Sequence, residues 1–297
     1  MKFPLLFLCS MLPFLVLFSV AREPEAGSGG NVAATTLEEV VVTGKRSDLL
    51  GIAPAASEGT ASGEELRARP LLRRGEVLET VPGMVVTQHA GGGKANQYFL
   101  RGFNLDHGTD FALALDGMPL NMRTHSHGQG YADLNLLIPE LLERVDYSKG
   151  TYTARNGDLS SAGSADFRLY AFLPRAFSTV ELGERGYYRG AVGDTFPTGN
   201  GPHSGKLTLA GEYQQYEGPW VLPENFKRWN GFSRYFKGDA DDHLALTLMG
   251  YRGSWQSSDQ IALRALETGL VDRFGNLNPT NGGKSARYSL QLNLQRR

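Results

Sequence analysis

Apolar and polar positions change rhythm twice along this chain. An almost unbroken apolar run, Phe3 to Val20, opens it, and a segment poor in large apolar residues follows. Between about Gly59 and Phe172 short apolar runs are punctuated by glycine, and beyond Phe172 apolar and polar residues alternate with period two. In the middle region, "SGEELRARP" sets Ser62 three residues before Glu65, a capping-box spacing, and Pro70 closes a short helix. "RGEVLETVPG" predicts a further helical turn ending at Pro82-Gly83. "MVVTQ", "QYFLRGF" and "FALALDGMPL" predict short strands, and "IPELLERVDYSKG" predicts a short helix running into a strand. Together these make a compact α+β unit over residues 59–172.

The alternating region reads differently. In "GKLTLAGEYQQY" Leu207, Leu209, Gly211 and Tyr213 face away from Lys206, Thr208, Glu212 and Gln214, and "DHLALTLMGYR" and "ARYSLQLNL" repeat the pattern. Six strands are expected, at 177–184, 187–196, 205–217, 226–238, 243–255 and 286–297. Segments of about ten alternating residues, with aromatics near their ends, mark a membrane β-barrel; a soluble β-sandwich also alternates. Connector lengths favour the barrel, because "GDADD" is a tight turn whereas the polar stretch from Gln256 to Ser285 is long.

The N-terminus adds a compartment. Lys2, the apolar run and the small residues Ser19-Val20-Ala21 form a secretory signal over residues 1–21, with Pro4 and Pro13 arguing against a retained membrane anchor. The single cysteine, Cys9, lies within that signal, so no disulfide holds the exported chain. Residues 22–58 read as a linker. Within it Leu37–Thr43 is strongly β-prone through Val40, Val41 and Val42, and lacks a neighbouring core. Such an open strand is one that a partner can pair with.

Charge removes other classes. Thirty Lys and Arg balance 31 Asp and Glu, which excludes a basic nucleic-acid binder, and the 37 glycines suit a chain of many turns. "GGGK" at Gly91–Lys94 lacks the spacing and hydroxyl of a phosphate loop, and no nucleophile stands in a recognisable motif with a base. No enzyme and no cofactor is expected. A secreted, soluble carbohydrate-binding or hydrolytic β-protein stays as the alternative class.

Four histidines carry the candidate chemistry. His89, His107, His125 and His127 lie in glycine-rich stretches, and the two-residue spacing of His125 and His127 turns both to one side of an extended segment. Asp106 and Asp110 could complete a metal site, and imidazole suits zinc, copper, nickel or iron. Tyr98, Phe103 and Tyr131 lie beside them and could stack a ligand or pack a core.

The ordered set "LEEVVVTGKR", "VLETVPGMVV", "FLRGFN", "LALDGMPLN" and "LLERVDYSKG" resembles a TonB-dependent outer-membrane receptor. The resemblance implies an α+β plug domain at 59–172, followed by an incomplete antiparallel transmembrane β-barrel at 173–297. It implies that Leu37, Glu38, Glu39, Val40, Val41, Val42 and Thr43 form the TonB box, bound by a periplasmic TonB-type energy-coupling protein. It further implies an outer-membrane lipid environment, a small-molecule ligand such as a metal chelate or siderophore, and a ligand site on the plug apex at His89, His107, His125, His127, Tyr98 and Tyr131. Arg101, Glu143 and Arg144 match positions that seat the plug against the barrel. A plugged barrel of about 22 strands needs upwards of about 400 residues after the plug, so the chain is expected to be an N-terminal fragment.

Overall fold

The computed structural model describes residues 52–201, 204–239, 241–257 and 260–296. The expected signal segment, residues 1–21, and Leu37–Thr43 lie outside the described residues.

The described residues open with a hairpin, β1 (Ile52–Ala55) and β2 (Glu58–Ser62), in a stretch whose small polar residues read as loop. Tertiary pairing overrides that weak local preference: β2 lies antiparallel against β8 (Leu142–Lys149) and buries Ala61 completely. Ser62 then caps α1 (Gly63–Ala68), its hydroxyl accepting the Glu65 N–H at 3.2 Å. Gly63 is required by packing, since a Cβ there would collide with the Leu142 carbonyl of β8. A 3₁₀ segment, Arg74–Thr80, buries Val77 and Leu78.

Three short strands, β3 (Met84–Thr87), β4 (Gln97–Leu100) and β5 (Phe103–Asn104), form a small antiparallel sheet. β6 (Phe111–Leu115) and β7 (Met118–Pro119) make a hairpin whose turn, Asp116-Gly117, takes left-handed φ values of 48° and 79°. The Asp-Gly pair selects that turn, as its sequence predicts. After the 3₁₀ turn Pro139–Leu141, β8 leads to β9 (Gly163–Leu169), which runs parallel to β6. The larger sheet has the order β1-β2-β8-β9-β6-β7. Its core face follows from period-two patterning: Phe111, Leu113, Leu115, Val145, Ala165 and Phe167 are all at most 2% exposed. Each such Leu or Phe contributes about 1.5–3 kcal/mol by leaving water.

Beyond this unit the six strands expected from alternation form one antiparallel meander: β10 (Phe177–Leu182), β11 (Tyr188–Pro197), β12 (Lys206–Tyr216), β13 (Phe226–Gly238), β14 (His243–Gln256) and β15 (Gly282–Gln295). The last opens at Gly282 rather than 286, because ladder pairing to β14 extends through Gln256. The sheet is open, with β10 and β15 at its edges. Its burial is inverted relative to a soluble sheet. Leu246, Leu248, Leu290, Leu292 and Leu294 face outward and exposed, while Arg189, Glu212, Arg228, Asn230 and Arg234 are buried against the α+β unit. Leu244, Leu246 and Leu248 lie opposite Leu294, Leu292 and Leu290 across the ladder, making a continuous apolar band. A soluble sandwich buries its apolar face, whereas a barrel wall turns it to lipid.

Candidate functional site

The two ends of the wall differ. At one end run the connections 183–187, 217–225 and 257–281, the last and longest carrying α2 (Leu263–Glu267); at the other run 198–205 and 239–242. The plug loops that carry the histidines sit at the long-connection end. There the Gly91 N–H donates to Ser257 Oγ at 3.1 Å, Gly92 N–H donates to the Glu224 carboxylate, and Ser285 Oγ donates to Asp133 at 3.3 Å. The indole of Trp255 lies against Gly91 and Gly93, where any Cβ would collide with it. The "GGG" run therefore serves close backbone approach.

His107 is held most firmly. It sits in the turn after β5, where Asp106 has φ 50° and Gly108 φ 117°, and its ring is 1% exposed. Its Nδ1 lies 2.9 Å from the Asn96 carbonyl oxygen. A carbonyl only accepts, so Nδ1 carries the proton and Nε2 presents a lone pair. That Nε2 is buried with no hydrogen-bond partner, 3.7 Å from Asp106 Oδ1. Burial pulls the imidazolium pKa down to about 4, outweighing the opposing Asn96 hydrogen bond and Asp106 charge.

Two other imidazoles converge on it. The His127 ring is 4.5 Å away and edge-on, and the His89 ring is 5.0 Å away. One ring nitrogen from each of His89, His107 and His127 lies within 4.8 Å of the others. This is not the His125–His127 grouping that the spacing suggests. His125 instead stacks on Tyr131 at 4.0 Å with 14° between planes, and its Nδ1 accepts the His127 N–H at 3.2 Å. The loop that presents them is closed by Met122 and Tyr131, whose backbones bridge at 2.9 Å, and by Asn121, whose amide donates to the Gly108, Phe111 and Gly130 carbonyls. His125 and His127 line a cavity of about 980 Å³; His89 lines a second of about 570 Å³.

The other expected site residues divide. Tyr131 joins the cluster, its hydroxyl accepting the Ala95 N–H at 2.8 Å and burial raising its pKa to about 12. Tyr98 does not face the cavities: it is 1% exposed in the core and donates to the Ala132 carbonyl at 3.1 Å. Asp110 accepts from Ser161, away from the imidazoles, and Phe103 is exposed. Arg101 sits in the exposed β4–β5 turn with φ 53°, and Arg144 pairs with Glu143 and Asp146 of its own strand.

Among the described residues, the ion pairs that join plug and wall involve other side chains. Glu212 of β12 accepts from Arg74 of the plug at 2.6 Å and from Arg189 and Arg228 of the wall at 2.6 and 3.0 Å. Arg189 also pairs with Glu140 of the plug and with Glu181, both at 2.7 Å, so three buried cations meet three carboxylates. Balance of this kind is what burial of charge demands. Arg228 bonds Asn135 at 2.9 Å, Arg234 pairs with Asp116, and Arg287 donates to the Leu120 and Pro119 carbonyls. No single motif announces these residues; the recurrent inward Arg, Glu and Asn of strands with an apolar outer face were the available signal.

Comparison with known proteins bears on the whole arrangement. Residues 53–164 match the family model of the TonB-dependent receptor plug domain. Among solved structures the chain resembles the copper transporter OprC, with 20% identity and TM-score 0.55 over 71% of this chain and 33% of that one. It also resembles the siderophore receptor PiuA from Acinetobacter baumannii, with 16% identity and TM-score 0.58 over 84% of this chain and 36% of that one. A third likeness is to the pyoverdine outer-membrane receptor FpvA of Pseudomonas aeruginosa, with 15% identity and TM-score 0.51 over 70% and 29%. The chain thus spans about a third of the length of the solved receptors it matches. With residues 53–164 matching the plug and, packed on them, an arc of wall that turns leucine outward and charge inward, this chain contains a TonB-dependent receptor plug domain.

Proposed function

We propose that the protein is a non-enzymatic importer that captures a scarce metal chelate, such as a siderophore, and draws it inward with energy relayed by a periplasmic TonB-type protein. The observation that carries this reading is the gathering of His89, His107, His125, His127 and Tyr131 on the plug at the long-connection end of the wall. Imidazoles and an aromatic face suit a metal-bearing ligand. Two solved relatives are named a copper transporter and a siderophore receptor, and both names favour such a cargo. The exposed leucine band argues against the soluble carbohydrate-binding alternative, since a water-facing band of that size invites aggregation.

Energy coupling would use Leu37–Thr43 as a strand added to the partner's sheet, held by main-chain hydrogen bonds. Val41→Pro removes a donor from that ladder and clashes within it. Cells carrying the variant should hold normal amounts of receptor in the outer membrane yet lose growth on the chelate. Uptake at the wild-type rate would sink the assignment of the coupling segment. Recovery of the protein in the soluble periplasmic fraction would sink the receptor reading itself.

A further inference from the structure

We infer that His89, His107 and His127 form a three-imidazole binding site for a bare divalent transition-metal ion of the zinc–copper class, with a fourth position open to the cavity lined by His125 and His127. The site deepens the proposed function by making the ion itself the recognised group, and its role as cargo rests on that reading; its existence as a metal site does not.

The tautomer is the first support. Metal-bound histidines are ordinarily oriented by a hydrogen bond from the far ring nitrogen to a carbonyl or carboxylate. His107 already has that arrangement, with Nδ1–H committed to Asn96 O at 2.9 Å and Nε2 left as a ligand lone pair. The second support is the state of that lone pair, which is buried without a partner. Leaving a buried acceptor unsatisfied is costly, and a bound ion is one way in which such a group is completed.

Distance is the third. Metal–nitrogen bonds of about 2.0–2.1 Å in a tetrahedral site separate the nitrogens by about 3.3–3.4 Å. The three ring nitrogens lie within 4.8 Å of one another, so they must close by no more than about 1.5 Å. His107 is anchored by Asn96, whereas His127 is exposed on its loop with its ring edge-on to that of His107. Asp106 Oδ1, 3.7 Å from His107 Nε2, adds negative potential that favours a cation. The donor set then narrows the ion. Three neutral imidazoles without thiolate suit Zn²⁺ or Cu²⁺, whereas Mg²⁺ and Ca²⁺ require oxygen ligands. His125 is excluded from the set by its stack on Tyr131.

The test uses the full protein, extracted from membranes in mild detergent and stripped with EDTA. Titration with ZnCl₂ and CuCl₂ by calorimetry, with elemental analysis after dialysis, should find one ion per chain. CoCl₂ should give the visible absorption of a nitrogen-ligated tetrahedral centre. His127→Gln, a change at an exposed position, should weaken binding at least ~10-fold, since removing a direct ligand costs no less than removing its supporting hydrogen bond; His243→Gln, at the start of β14 beside Phe236, should leave it nearly unchanged. Absence of a stoichiometric ion, equal binding by His127→Gln, or dependence on His243 instead would overturn the site. Retained binding by the wild type in a protein whose cells take up zinc and copper no faster than receptor-deleted cells would keep the site and remove its role as cargo.

Discussion

The plug and the wall bury opposite things. In the plug, Phe111, Leu113 and Phe167 are inside and the charged Glu143, Arg144 and Asp146 lie on its surface; in the wall, Arg189, Glu212 and Arg228 are inside and leucines cover the outside. Both obey the same requirement, that apolar surface avoid water and buried charge be paired. What differs is the solvent beyond the outer face. The polar interior of the wall meets the polar exterior of the plug, so their junction is held by ion pairs and hydrogen bonds such as Arg74–Glu212 and Arg228–Asn135.

The largest effect that would sharpen this contrast is expected at Glu212. Its replacement by Ala leaves the buried Arg74 and Arg228 without a carboxylate partner and Arg189 with only Glu140 and the half-exposed Glu181. Loss of one partner from such a network costs about 3–5 kcal/mol. The variant should unfold at lower urea in detergent, read by the heat-modifiable shift in gel mobility; an unchanged midpoint would mean that the junction does not depend on this charge balance.

Phe167→Ala tests the plug by the ordinary rule for cores. Its ring is fully buried, and its removal should cost about 3–5 kcal/mol through lost burial and the cavity left behind. Proteolysis of plug segments should rise while the wall keeps its mobility on gels. Equal sensitivity of both regions would show that plug and wall unfold as one unit.

Next comes Leu248→Arg on the outer band, expected to cost about 2–4 kcal/mol in a bilayer if the residue lies near the midplane. The same change should be mild in detergent micelles, whose thin shell lets the guanidinium reach water. A penalty independent of the surrounding lipid would break the claim that this face meets membrane.

The smallest effect is a pH slope from Glu224, in the connection between β12 and β13. Burial raises its carboxyl pKa from the ordinary 4.5 to about 7, against the opposing Trp220 hydrogen bond and Arg73 charge. A raised pKa means the folded protein holds the proton more tightly. The contribution is therefore fully present below pH 4.5 and lost as pH rises through about 7. Glu224→Gln should flatten stability between these limits and raise it at pH 8 by no more than about 3 kcal/mol. Parallel pH curves for wild type and variant would reject this assignment.

The amino-acid sequence by itself determined the local elements, because they follow from short-range sterics and periodicity. Ser62 and Glu65 specify a helix start, Asp116-Gly117 specifies a left-handed turn, and the alternation through β12 to β15 specifies strands with one apolar face. Even the inverted burial was legible once leucine recurred opposite charge and amide. Weak local signals failed where tertiary pairing decided, as in β1 and β2, whose small residues gain order from β8.

Partnerships between distant residues were decided by the tertiary structure. Arg74 and Glu212 lie 138 positions apart, and only docking of plug on wall reveals that they meet. His125 and His127 look like a pair along the chain, yet the loop closed by Asn121 turns His125 onto Tyr131 and leaves His127 to join His89 and His107. Sequence spacing governs which side chains share a face of one strand; the convergence of three separate loops depends on how their backbones are tied together, and that is set by the hydrogen bonds of the folded plug.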